Sequence, residues 1–311
     1  MDLFSVLGQD IPKKFLTSVI KSKDISHFYL FVGPPGVGKG KMAEEFAIFL
    51  ICEGTDGLCS KKVRDNVHPD VKIVDEKVIK ISHVKEIQKE VNLSPIESRR
   101  KVVVIKDVEG LTQEGANAFL KTLEEPPEDT IFVLTSSYMH MLPKTILSRA
   151  QLVRFSLLSR DTVESIWRDV LKREDPLPVY DGTLHFVDTL DMRTLLFTLF
   201  SVISRDRERK RVYDLFEQGI RKRNILKESR RDIVNIWFSF LKDVFLSEND
   251  GIINLYKKGE IEKIKESFTS VKLPFIFEPL SYLEKGIIFN INFNIWWEYL
   301  ILSTYDILFG G

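Results

Sequence analysis

Eight consecutive residues, Gly33-Pro34-Pro35-Gly36-Val37-Gly38-Lys39-Gly40, have the types and spacing to hold a phosphate. Glycines let successive backbone N–H groups turn inward around an anion, and a helix opening at the lysine adds its positive end. Lys39 supplies a point charge for the outer phosphates of a nucleoside triphosphate. The next position is Gly40, where a hydrolytic loop places Ser or Thr so that a hydroxyl holds Mg²⁺. The second metal contact is expected from an aspartate closing an apolar strand, and there the chain reads Val102-Val103-Val104-Ile105-Lys106-Asp107-Val108-Glu109. Lys106 stands where the carboxylate belongs. Sliding Asp107 into that role fails, because strand side chains alternate faces and a one-residue slip turns the carboxylate away. Both protein ligands of the ion are missing, so hydrolysis on this chain is not expected. Lys106 and Asp107 read equally as an ordinary solvated strand end, with the same loss of ligands.

The elements that must position this loop alternate short β-rich runs with helical patterns, which predicts a five-stranded parallel sheet with helices on both faces. Strands are expected at Phe28 to Val32, Val71 to Val74, Val102 to Ile105, Ile131 to Thr135 and Leu152 to Phe155. A 3.6-residue apolar period places Met42, Ala43, Phe46, Ala47 and Leu50 on one helix face, and Ala116, Phe119, Leu120 and Leu123 on another. After Phe155 the strand signals stop. Ser159 reads as a helix N-cap, with Asp161 and Glu164 favouring the positive helix end. Asp175-Pro176-Leu177-Pro178 interrupts the helical pattern. Further stripes follow at Val212, Leu215, Phe216 and Ile220, and at Ile233, Trp237, Phe240, Leu241 and Val244.

The 311 residues suit two or three domains. Forty-five Lys plus Arg against 45 Asp plus Glu leave no net charge, so any contact with nucleic acid must be local or shared. The longest apolar run, Phe46 to Cys52, is far short of the ~20 residues that cross a bilayer, and the N-terminus has no secretion signal. A cytoplasmic location without membrane contact is expected. Cys52 and Cys59 cannot build a disulfide framework and are expected as buried or surface thiols in a reducing compartment.

Several stretches together carry a likeness: Val6-Leu7-Gly8-Gln9, His27-Phe28-Tyr29-Leu30-Phe31 leading into the loop, His68-Pro69-Asp70, and the long run Ala116-Asn117-Ala118-Phe119-Leu120-Lys121-Thr122-Leu123-Glu124-Glu125-Pro126-Pro127. With Thr145-Ile146-Leu147-Ser148-Arg149 following, the chain resembles the AAA+ subunits of the bacterial clamp loader of DNA polymerase III, most of all their delta-prime members. The resemblance implies an α/β AAA+ P-loop domain at 1–156, an all-α lid at 157–204 and an all-α collar-type oligomerisation domain at 205–311. It implies that Arg149, beside Ser148, is an arginine finger reaching the nucleotide of a neighbouring subunit. An arginine supplied in trans stabilises transition-state charge, so the chain would assist hydrolysis without performing it.

The same likeness implies a delta-prime-type subunit working with gamma/tau-type and delta-type partners, and through them with a sliding clamp and primer-template DNA; an active gamma/tau-type ATPase is the alternative. Sensor positions would fall at Ser136 and Arg193, although Arg193 reads better as a solvated helix arginine. No cofactor is required, and any residual ATP or ADP binding would proceed without magnesium. The family's Ser-Arg-Cys triplet is Ser148-Arg149-Ala150 here, which keeps the charge. Many relatives ligate zinc with four cysteines after the first helix; Cys52, Cys59 and His68 do not complete a tetrahedral set, so no metal is expected.

Between Arg205 and Arg231 eleven basic residues outnumber five acidic ones. Their interleaving favours a solvated, charge-paired helix face over a DNA-binding one. The aromatic tail, Phe289, Phe293, Trp296, Trp297, Tyr299 and Phe309, contains Asn290, Asn292, Asn294 and Glu298, which suits packing against helices in a core or an interface.

Overall fold

The computed structural model describes residues 4–54, 57–76, 78–205, 230–245, 253–266, 282–283 and 292–309. They form two compact units, the first made of residues up to Lys172 with Gly182–Leu184, the second of Arg173–Asp181 and the chain from His185 onward.

In the first unit the elements run α1 (Asp10–Ser22), β1 (Phe28–Val32), α2 (Lys39–Cys52), α3 (Leu58–Arg64), β2 (Val71–Val74), α4 (Ile81–Val91), β3 (Lys101–Ile105), α5 (Gln113–Glu124), β4 (Thr130–Ser136), α6 (Lys144–Leu147), β5 (Gln151–Arg154) and α7 (Arg160–Ser165). All five strands lie where the β-rich runs predict them, with ends moved by one residue. The sheet order is β2-β3-β4-β1-β5, every pair parallel, with Leu30 opposite Leu134 and Val104 opposite Val133. β1, β3 and β4 are buried along their whole length. That is why they read as continuous apolar runs and not as alternating ones.

Alternation survives in where the side chains go. Tyr29 and Phe31 pack with Met42, Ala43, Phe46 and Ala47 of α2, whereas Phe28, Leu30 and Val32 pack with Val84 and Ile87 of α4 and Phe119 and Leu123 of α5. The two helix faces expected from periodicity are these. Thr112 caps α5 by accepting from the Gly115 N–H, and Ser159 caps α7 by accepting from the Thr162 N–H.

One expectation is corrected. Cys52 and Cys59 are not thiols: they are joined by a disulfide with Cα atoms 5.8 Å apart. The bridge joins the last residue of α2 to the second residue of α3, a contact that the 3.6-residue period of either helix does not reveal.

The second unit packs α8 (Phe186–Arg205), α9 (Arg230–Phe245), α10 (Lys258–Glu266) and α11 (Phe293–Phe309) around one core. The stripe Ile233, Trp237, Phe240, Leu241 and Val244 lies wholly within it, beside Phe197 and Phe200 of α8. In the aromatic tail Trp296 and Trp297 are buried, and the Trp296 indole donates to the Leu283 carbonyl at 2.9 Å. Tyr299 is exposed, so the tail divides between core and surface. Most of the basic stretch, 206–229, lies outside the described residues, as does the stripe from Val212 to Ile220. Among the described residues no helix is long and apolar enough to cross a membrane.

Candidate functional site

The glycine-lysine loop joins β1, which lies between β4 and β5, to α2. Gly33 follows β1 so closely beside β5 that a Cβ there would lie 2.5 Å from the Phe155 carbonyl oxygen. Gly38, at φ +94°, leads into α2 in the left-handed region, and a Cβ there would meet Val6 at 2.7 Å. Four hydrogen bonds steady the loop and the neighbouring Ser156 from outside. The Gln9 amide donates to the carbonyls of Val37 (3.3 Å) and Ser156 (2.8 Å), the Gln9 side-chain oxygen accepts from the Ser156 N–H (3.2 Å), and the Leu184 N–H donates to the Gly36 carbonyl (2.9 Å). Pro35 and Gly36 form the turn of the loop.

Lys39 is 5% exposed. Its ammonium donates to the carbonyls of Gly33 (2.9 Å) and Pro34 (2.6 Å) and to the Ser137 hydroxyl (3.1 Å). Burial lowers its pKa to about 8, against the opposing pull of the Asp107 and Glu109 carboxylates. All three hydrogen-bond acceptors are neutral oxygens, so an anion entering the loop would find a cation short of negative partners.

At the end of β3, Lys106 meets two carboxylates, Glu44 of α2 and Asp75 after β2, each at 2.7 Å. Burial disfavours the ammonium form, but these carboxylates more than offset it and hold the lysine pKa above its ordinary value. The stem of Lys106 lies across Gly40: a Cβ on Gly40 would be 3.4 Å from its Cδ and 3.6 Å from its Cε. Asp107 is in the left-handed region (φ +47°), its N–H donating to the Thr135 hydroxyl at 3.0 Å.

These residues do not fit Mg²⁺, the ion such loops imply. Gly40 offers no hydroxyl, and the place of the carboxylate ligand is taken by an ammonium already engaged with two acids.

Ser136 is buried at the end of β4, where its hydroxyl accepts from the Tyr138 N–H at 3.2 Å. The hydroxyl that reaches Lys39 belongs to Ser137, whose own N–H donates to Glu109 at 2.9 Å. Neither Ser137 nor Glu109 is singled out by sequence reasoning, nor are Glu44 and Asp75. Two signals bear on the acids. Glu44 is one helical turn beyond Gly40, and Asp75 and Lys106 are the first residues after the paired strand ends Val74 and Ile105.

Arg149 sits just after α6 with its side chain 41% exposed, one terminal nitrogen 3.3 Å from Glu124 and the other donating to the Thr145 carbonyl at 3.3 Å. Ser148 donates to the same carbonyl at 3.2 Å. Arg193, in the second unit, is 5% exposed in its side chain; it pairs with Asp181 at 2.9 Å and donates to Asn254 at 3.2 Å. It belongs to a buried polar network there with Thr189, Ser239 and Asp243.

Residues 8–159 match the family profile described as DNA polymerase III, delta subunit. The chain is 32% identical to the DNA polymerase III subunit tau of Bacillus subtilis (strain 168), across 64% of this chain and 37% of that one. It is 34% identical to subunit delta' of the same organism, across 49% and 48%. Against subunit gamma/tau of Mycoplasma genitalium it is 24% identical across 93% and 54%. It thus spans about half the length of these curated relatives, or less. Over residues 8–159 the chain is thus similar to the clamp-loader subunits of DNA polymerase III.

Proposed function

We propose that this chain is a delta-prime-like subunit of a replicative clamp loader, organising a ring of AAA+ subunits and lending Arg149 to ATP held by a neighbour without hydrolysing ATP itself. In this reading residues 1–156 are the AAA+ domain, 157–204 the lid and 205–311 the collar-type domain. The partners are gamma/tau-type and delta-type subunits, and through them a sliding clamp and primer-template DNA. The carrying observation is the Lys106 ammonium between Glu44 and Asp75, at the strand end where a hydrolytic site needs a free carboxylate for its metal. Arg149 meanwhile is half-exposed, with two of its five N–H donors engaged by the partners described above.

The matches to tau and gamma relatives favour a second reading, an active gamma/tau-type ATPase. Hydrolysis by the isolated chain separates the two. The delta-prime reading expects no turnover above background; turnover at motor-subunit rates that Lys39→Ala abolishes would overturn it.

A further inference from the structure

The two departures from a magnesium site are one structural event, because the Lys106 stem occupies the space beside Gly40 while its ammonium is held by Glu44 and Asp75. Even the Cβ of a serine or threonine at position 40 would rest against these methylenes, 3.4 Å from Cδ of Lys106. A divalent ion would also face an ammonium held only 2.7 Å from each of two acids. The loop itself keeps features that answer a phosphate: glycines at positive φ, and a buried Lys39 bonded to neutral oxygens.

We infer that this loop takes a nucleoside di- or triphosphate without a divalent cation, Lys106 serving as a fixed internal cation that neutralises Glu44 and Asp75 beside the phosphates. Nucleotide as the phosphate source rests on the clamp-loader reading; independence from metal rests on Gly40 and Lys106 alone. Bound nucleotide would then be a resident structural ligand, since the ion that helps bridge and neutralise the β and γ phosphates in hydrolysis has no place.

The test is equilibrium binding of labelled ADP and ATP to the full chain in magnesium and in EDTA. Dissociation constants in the two buffers are expected to agree within about twofold, and Lys39→Ala is expected to weaken both at least about tenfold. Gly40→Ser with Lys106→Asp should make affinity rise with magnesium. Tightening of the unmutated chain by about tenfold or more on adding magnesium would overturn the inference. So would a lack of binding in either buffer, or a folded double variant indifferent to the ion. Because the unmutated chain is compared with itself, a double variant that does not fold leaves the test decisive. Failure here leaves the role of Arg149 standing, since that role is read on a neighbour's nucleotide through Arg149→Ala.

Discussion

Gly40 and Lys106 lie against each other: a Cβ on Gly40 would be 3.4 Å from Cδ of Lys106, in contact with the lysine stem and not in conflict with it. An alanine at position 40 would sit in ordinary contact, but the further atoms of a threonine would have to push the lysine stem aside. Gly40→Thr is therefore expected to cost about 1–3 kcal/mol of stability, the range for overpacking. Trimming the stem in Lys106→Ala should return part of that cost, so the two changes will not add. Urea unfolding of the two single variants and the double variant measures the coupling; strict additivity would show that the volumes are separate.

Lys39 is a lysine made easier to deprotonate by its burial. Its pKa of about 8 lies below the ordinary lysine value, so between the two the folded chain binds fewer protons than the unfolded one. Stability then rises with pH from about 8 toward the ordinary lysine pKa. At neutral pH the buried charge is a burden, and Lys39→Met should stabilise the chain by about 1–3 kcal/mol while removing affinity for phosphate. Unfolding midpoints at neutral and alkaline pH check this: the gain from Lys39→Met should shrink as pH rises.

Asp70 works in the opposite sense. Its carboxylate, 2% exposed, accepts from the N–H groups of Ile96, Glu97 and Ser98, each at 2.7 Å, and so closes the loop between α4 and β3. Burial alone would raise its pKa, but these three bonds and the nearby His68 hold it below the usual carboxylate value. The folded state therefore favours the ionised form. The resulting stability is fully present above the unfolded pKa and is lost as pH falls through the lowered folded value. Asp70→Ala leaves three donors without their acceptor and should cost roughly 2–4 kcal/mol at neutral pH, less in acid.

The Cys52–Cys59 disulfide closes a short loop between α2 and α3. Chain-entropy arguments put its contribution near ~2 kcal/mol for so few residues. Reduction by a dithiol, or Cys52→Ser with Cys59→Ser, should lower the denaturant midpoint by that order while the sheet stays intact by circular dichroism. An unchanged midpoint would show that α3 is held by packing alone.

How much of this was legible beforehand follows from the range of each signal. β1, β3 and β4 could be read because burial on both faces makes an uninterrupted apolar run, and α2 and α5 because a single buried face keeps the helical period. The phosphate loop was legible because its chemistry is local, eight residues in a row. The partners of Lys106 were not: Glu44 and Asp75 come from two other elements, joined only through the β2–β3 register and the turn of α2. Ser137 was hidden for a similar reason. Ser136 ends β4 and Ser137 follows it, and only the direction of the backbone decides which hydroxyl reaches Lys39.

Arg149 bears the last prediction, which separates a side chain that matters to fold from one that matters to a neighbour. Its contacts, 3.3 Å to Glu124 and 3.3 Å to the Thr145 carbonyl, are those of a half-exposed ion pair, worth about 0–1 kcal/mol. Arg149→Ala should therefore leave the unfolding midpoint of the isolated chain nearly unchanged. A guanidinium supplied in trans to a transferring phosphate is worth ~10³–10⁵ in rate in related systems. In a mixture with an ATP-binding clamp-loader subunit, Arg149→Ala should then lower DNA-stimulated turnover at that one site by at least about tenfold. Arg149→Lys, which keeps the charge but not the planar fork, should recover little of it. Turnover equal to that of the unmutated mixture would remove the trans role and leave Arg149 as a surface residue paired with Glu124.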